Sequence, residues 1–247
     1  MPVRFVLMVG AIIQLSLLLW AVLRLSGLDM ATRISPKGAE TRKAILDASE
    51  VLFARHGYQG TGLRDIAAQA GVRQSLVHYH FGNKHEIFSA VVDRKLGMLV
   101  EIIAQSFADA DAAAPAGLNP EQTVSAFVLP FLSIAATPDH DLRHYVIMTS
   151  HLMSSYRMPE LRPVLQKLSA VSALFEERVR ILTPNAESSD ILAAIYLIES
   201  ALIFMVQDPG FLDDLTRDHH SVGGLEDMAR PAIRFFSAGL ERLTKPH

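Results

Sequence analysis

The chain has 247 residues, half of them hydrophobic and 20% charged, with no cysteine; that is enough apolar material for the core of one large or two small domains, and it excludes disulfides, thiolate metal sites and cysteine nucleophiles. The formal net charge of −3 hides an asymmetry, since residues 30–96 hold ten Lys/Arg against six Asp/Glu while residues 97–247 hold eleven against nineteen. A basic segment joined to an acidic one fits an anionic partner for the first part only, although ordinary surface variation produces the same pattern.

Residues 5–23, FVLMVGAIIQLSLLLWAVL, are apolar except for Gln14 and Ser16. As a helix they span roughly 28 Å, close to the hydrocarbon thickness of a bilayer. Arg24, Arg33 and Lys37 follow the run and only Arg4 precedes it, which for a membrane anchor places everything downstream in the cytoplasm. The alternative is that residues 1–29 are upstream sequence translated from a misplaced start, with Met30 as the natural one. A cleaved signal peptide is disfavoured because no A-x-A-like site follows the run. On every reading the functional part begins near residue 30.

From Thr41 to Gly57 the pattern is helical, with Ile45, Ala48, Leu52 and Phe53 on one face. YQGTG (58–62) is turn-forming. Leu63–Ala70 forms a short second helix, Gly71 breaks it, and Val72–Phe81 is a third; GNKH (82–85) breaks the chain again before a long amphipathic helix over 86–107. Residues 109–120, rich in Ala, Pro and Asp, read as a connector. Helices follow near 121–136, 139–155, 160–182, 188–207 and 225–243, punctuated by Pro138, Pro159, Pro184 and Pro209. No segment alternates with period two, so the fold class is all-α.

The informative stretch is TGLRDIAAQAGVRQSLVHYHFGNKHEIF (61–88). A helix of small and apolar residues, a glycine turn and a polar helix make a helix-turn-helix, in which the first helix braces across the DNA backbone and the second enters the major groove. Ile66, Val72 and Val77 supply the shared core, with small Ala67 where the helices approach. Arg73, Gln74, Ser75 and His78 lie exposed near the start of the third helix, where glutamine reads adenine and serine or histidine meets base edges or phosphates. Tyr79, His80 and Lys84 follow where a phosphate strand passes. Phosphate contacts supply most of the affinity and base contacts the sequence choice.

The order T-x-x-R-D-I-A-x-x-A-G-V, then Tyr79-His80-Phe81, Lys84 and Phe88, resembles the DNA-binding domain of the TetR family over about residues 41–88. The leading ILDAS and LFARHGY fit the same pattern. The resemblance implies an all-α homodimer with an N-terminal helix-turn-helix domain (30–86) and a C-terminal ligand-binding and dimerisation domain (87–247). It implies that Arg64 touches phosphate or a base edge, that Gln74 and Ser75 face bases, and that Tyr79, His80 and Lys84 clamp the backbone. Double-stranded operator DNA and a small-molecule inducer are then the partners, and the protein is a cytoplasmic repressor. Two positions depart from the pattern. Arg73 stands where many members cap the third helix with Ser or Thr, losing about 1 kcal/mol of capping. His78 stands where many have Tyr, and a histidine can be neutral or charged near neutral pH, which makes DNA affinity pH-sensitive.

The acidic C-terminal part shares only its helix pattern with the family. Residues 188–207 are apolar on more than one face and 225–243 are amphipathic, so the two helices with their two-fold mates suit a four-helix dimer interface. An inducer pocket is expected among the middle helices, from Phe127, His144, Met148, His151, Tyr156, Tyr196 and Glu199, with Phe131, Met153 and Met205 nearby; core packing is the plainer reading of each. Glu199 in an apolar helix needs a partner, across the dimer or on a ligand. His144 and His151 share a face but lack a third ligand, so no metal site and no cofactor is expected. G-x-S-x-G, H-E-x-x-H, P-loop and dinucleotide fingerprints are all missing from the sequence, which argues against an enzyme. The alternative to a diffusible regulator is a membrane-anchored one that uses residues 5–23.

Overall fold

The structure is a computed structural model describing residues 35–153, 157–207, 214 and 224–244. The apolar run at 5–23 and Tyr156 lie outside the described residues. The chain divides into two compact units at Arg42, and of the first only the opening turns of a helix are described. All regular structure among the described residues is helical: α1 (Pro36–His56), α2 (Leu63–Gln69), α3 (Gln74–Phe81), α4 (Lys84–Ala113), α5 (Pro120–Ala136), α6 (Arg143–Met153), a 3₁₀ turn at Pro159–Leu161, α7 (Arg162–Leu182), α8 (Ser188–Gln207) and α9 (Leu225–Thr244).

The limits of these helices have local causes. Ser35 accepts a hydrogen bond from the Gly38 N–H and Pro36, which has no donor to waste, opens α1. Asn83 accepts from the Glu86 N–H at 2.9 Å to start α4. Asn119 and Gln122 form a reciprocal capping box ahead of α5, again with proline in the first turn. The expected connector at 109–120 is shorter than the sequence suggested, because α4 continues to Ala113. The alanines and aspartates of 108–113 propagate a helix already 24 residues long at Phe107, and Pro115 is what biases Ala114 out of it.

The N-terminal core gathers Ile45, Phe53, Ile66, Val77 and Phe88, each at most 1% exposed. Phe88 meets Phe53 and Tyr58 edge-on, with ring centroids 4.8 and 5.2 Å apart. The same helix α4 then feeds Leu99, Ile103 and Phe107 into the C-terminal core, so the expected boundary at 86/87 falls inside one continuous helix. In the C-terminal part α5 packs on α4 and α9, and α8 packs on α6, α7 and α9. Phe127 stacks on Phe175 with centroids 4.3 Å apart. Tyr145 is fully buried and donates its hydroxyl to the Val92 carbonyl at 3.1 Å; burial holds its phenol well above the ordinary value.

Candidate nucleic-acid interface and buried cavity

The helix-turn-helix is set by a glycine. Gly71 has φ of +65°, a left-handed conformation that other residues adopt at a cost. It lets the Gly71 N–H donate to the Ala68 carbonyl and the Val72 N–H to the Ala67 carbonyl, at 3.1 and 3.0 Å. That pair of bonds closes the end of α2 and turns the chain into α3. At the other end of α2, Asp65 accepts from the Gly62 N–H at 3.1 Å. A side chain at Gly62 would bring its Cβ within 2.9 Å of that carboxylate.

α3 is thereby anchored by buried Val77 and Phe81 and turns Arg73, Gln74, Ser75, His78 and Tyr79 to solvent. Tyr79 is 82% exposed, more than packing alone explains for a residue of its size. Arg64 is exposed at the start of α2. His80 is half-buried, its ring edge-on to Tyr79 at 5.1 Å. Arg73 holds the N-cap position of α3 and makes no side-chain cap bond. Because α3 starts at Gln74 rather than at the expected Val72, Gln74 and Ser75 fall in its first turn, where free N–H groups favour phosphate. His78 donates Nδ1–H to the Gly82 carbonyl at 2.9 Å, leaving Nε2 to face outward as an acceptor when the ring is neutral and a donor when it is charged.

Lys84, expected to clamp phosphate, also has partners within the head. Its ammonium is half-buried and donates to the carbonyls of Tyr58 and Thr61 at 2.8 and 2.9 Å, over the Tyr58 ring. A cation at a helix N-terminus opposes the helix dipole, and here two carbonyls and an aromatic face offset that cost. Burial pulls the Lys84 ammonium below its ordinary value, and Glu160 works against that pull. Two of its three donors are committed to bracing the 58–61 turn.

The C-terminal part holds a partly open cavity of about 70 Å³. Its apolar wall comes from Leu99 on α4, Phe127 and Phe131 on α5, Val146 on α6, Leu168 and Val171 on α7, and Leu202, Ile203 and Val206 on α8; Thr149, Ser150, Ser172 and Glu199 are its polar groups. Of the seven residues expected in a pocket, the structure brings Phe127 and Glu199 to this cavity. Phe131, expected nearby, is there as well. Tyr196 is 71% exposed and points elsewhere. Met148 is buried but does not line the cavity. His151 pairs through Nδ1 with Gln207 at 2.8 Å. His144 lies in the field of Glu50, Arg55 and Lys95 beside the N-terminal domain, and burial, with Arg143 close by, holds its imidazole below the ordinary value. The division follows from helical geometry. His144, Met148 and His151 share one side of α6, and Val146, Thr149 and Ser150 occupy the opposite side at 3.6 residues per turn.

Glu199 is the charged group of the cavity. Its Oε2 accepts from Ser172 at 3.1 Å, while its buried Oε1 has no hydrogen-bonding partner among the described residues. Burial raises its carboxyl above the ordinary value, the Ser172 bond lowers it in part, and Glu176 raises it further.

A polar junction joins the two functional regions. Glu50 on α1 is 4% exposed and pairs with Arg94 and Lys95 on α4, both at 2.7 Å. Arg94 also reaches Asp47, and Lys95 donates to the Asp141 carbonyl just ahead of α6. A second contact runs from Gln59 Nε2 to Met158 Sδ at 3.4 Å.

With this geometry in place, the comparisons with known proteins decide the family. Residues 45–91 match the model of bacterial regulatory proteins of the tetR family, and residues 125–239 match the tetracyclin repressor-like C-terminal domain. The chain is 30% identical over 187 residues to the HTH-type transcriptional repressor BepR of Brucella suis biovar 1 (strain 1330), across 74% of this chain and 83% of that protein. The chain belongs to the TetR family.

It is therefore a DNA-binding transcriptional regulator built from an N-terminal helix-turn-helix domain and a helical C-terminal domain, and not an enzyme. TetR-family regulators bind operator DNA and small molecules and act as dimers. To the HTH-type transcriptional regulator TtgR of Pseudomonas putida the chain is 39% identical over 64 residues, 26% of this chain and 30% of that protein. The fold is that of a TetR-family transcriptional regulator from Bordetella parapertussis 12822, with a TM-score of 0.56 at 18% identity over 79% of this chain and 93% of that one. By length and composition α8 could cross a membrane. The family match accounts for it as a helix of the C-terminal domain, so it lends no support to a membrane-anchored regulator.

Proposed function

We propose that this TetR-family protein is a cytoplasmic repressor that binds its operator as a symmetric homodimer and leaves it when a small molecule occupies the C-terminal cavity. The observation that carries this reading is the polar junction. Glu50 belongs to the reading head, Lys95 to the connecting helix, and Asp141 to the turn that opens α6. The next turns of α6 supply Val146, Thr149 and Ser150 to the cavity wall. A ligand that displaces α6 acts on the support of the head, and so on the spacing of two heads in a dimer.

On this reading residues 30–86 form the head and 87–247 the ligand-binding and dimerisation domain. Gln74, Ser75 and His78 meet base edges; Arg64, Arg73, Tyr79 and His80 meet phosphates. Dimerisation uses α8 and α9. Leu192 and Tyr196 on α8 and Phe235 on α9 are 52%, 71% and 78% exposed, and burying them against the same helices of a second copy removes that apolar surface from water.

The experiment is selection of duplexes from a random-sequence library by the full chain, followed by fluorescence anisotropy of the selected site and a screen of small molecules for its release. The reading expects a two-fold symmetric site, a fall in affinity of roughly 10³-fold or more between about 50 and 200 mM salt, and at least one compound that releases the DNA. A site without symmetry, or sequence-selective binding that raises transcription in a reporter, overturns it.

A further inference from the structure

The cavity is unusual in what its polar groups have left to offer. Thr149 donates its hydroxyl to the Val146 carbonyl at 3.0 Å, Ser150 to the Ile147 carbonyl at 2.6 Å, and Ser172 to Glu199 Oε2 at 3.1 Å. Each hydroxyl has a single hydrogen, so all three present only lone pairs to the space between them. Glu199 adds Oε1, buried and without a partner. The lining holds no Lys, Arg or His among the described residues. With Glu199 ionised, the polar side chains therefore form an acceptor-only set in an apolar wall.

That inventory selects among ligand chemistries. An anion finds no donor and no positive charge, and meets the Glu199 carboxylate. A neutral ligand that brings only acceptors leaves Oε1 desolvated and unpaired, the costly outcome for a buried polar atom. A cation with N–H donors satisfies Oε1 in a charge-assisted bond and can spend its remaining hydrogens on the hydroxyl oxygens. Glu176 on α7 adds to the negative potential felt at Glu199. The remainder of the wall, including the rings of Phe127 and Phe131, calls for an apolar body.

We infer that the cavity takes an apolar molecule carrying a protonated amine, and that the amine seats on Oε1 of Glu199. This deepens the reading of the cavity as the inducer site and rests on it. With about 70 Å³ of free space, the ligand enters by displacing the side chains around it, which ties occupancy to movement of α6.

The test uses three probes with one skeleton, 4-phenylbutylamine, 4-phenylbutanol and 4-phenylbutanoate, titrated calorimetrically into the full chain and into Glu199→Gln without DNA. Leaving DNA out separates the ligand class from the question of operator release. The expected result is that the amine binds wild type about tenfold or more tighter than the alcohol or the acid, as loss of a charge-assisted hydrogen bond implies. Glu199→Gln should erase that preference while binding the alcohol as before, which also shows that the variant is folded. Equal affinities for the three probes in wild type, binding of none of them, or a preference for the amine that survives in Glu199→Gln overturns the inference. Should the alcohol or acid win and also release operator DNA, the cation is wrong and the repressor reading stands.

Discussion

The carboxylate of Glu50 lies 2.7 Å from the ammonium of Lys95, and this pair ties the first helix of the DNA-binding head to the helix that carries it. Removing one member of a buried, hydrogen-bonded ion pair leaves the others uncompensated. Glu50→Gln is expected to cost about 3 kcal/mol or more, measured by chemical denaturation. Asp47 meets the same Arg94 but is 46% exposed, and Asp47→Asn should cost less than about 1 kcal/mol. Equal costs for the two variants would mean that burial does not govern this network.

Lys84 distinguishes a brace from a clamp. Lys84→Gln loses the bonds to the Tyr58 and Thr61 carbonyls and should destabilise the protein by about 2 kcal/mol. A residue that neutralises a phosphate contributes close to 0.9 to the slope of log affinity against log salt. The slope for Lys84→Gln is expected to match wild type. A slope shallower by about that amount would show that Lys84 also meets a phosphate.

Glu199 gives a pH dependence whose sign follows from its environment. Burial raises its carboxyl above the ordinary value, so the folded state holds the proton more tightly than the unfolded chain does. The stability this contributes is fully present below the ordinary carboxylate value and is lost as pH rises through the folded one. Glu199→Gln should match wild type in acid and gain on it towards neutral and alkaline pH, in denaturation curves taken across that range. A variant that falls behind wild type as pH rises would show that the carboxylate is paired and stabilising.

The head was largely legible in the sequence because its positions are constrained by local geometry. Gly71 marks the turn, Ile66 and Val77 the packed seam, and Gln74, Ser75 and Tyr79 the open face. Each can be assigned from helical spacing and one glycine. The brace that Lys84 makes was not, because its partners are the main-chain carbonyls of residues 58 and 61, and a carbonyl carries no residue identity. The cavity was half legible. Glu199 and Phe127 stand out by chemistry. On α6 the polarizable and titratable residues His144, Met148 and His151 stand on the side away from this cavity, while the lining residues Val146, Thr149 and Ser150 look like ordinary core. Which side of a helix faces a cavity is fixed by long-range packing of α6 on α8, and periodicity gives the faces without saying which neighbour covers each.

The most direct test of the account concerns α3 as the reading helix. With a selected duplex and a scrambled one, the ratio of affinities is measured at fixed salt for wild type and for the double variant Gln74→Ala/Ser75→Ala. Each lost base contact is worth about 1–3 kcal/mol of discrimination, so the ratio should collapse by roughly tenfold or more while affinity for the scrambled duplex stays the same. An unchanged ratio would contradict the assignment of these side chains to base edges, and with it the placement of α3 in the groove.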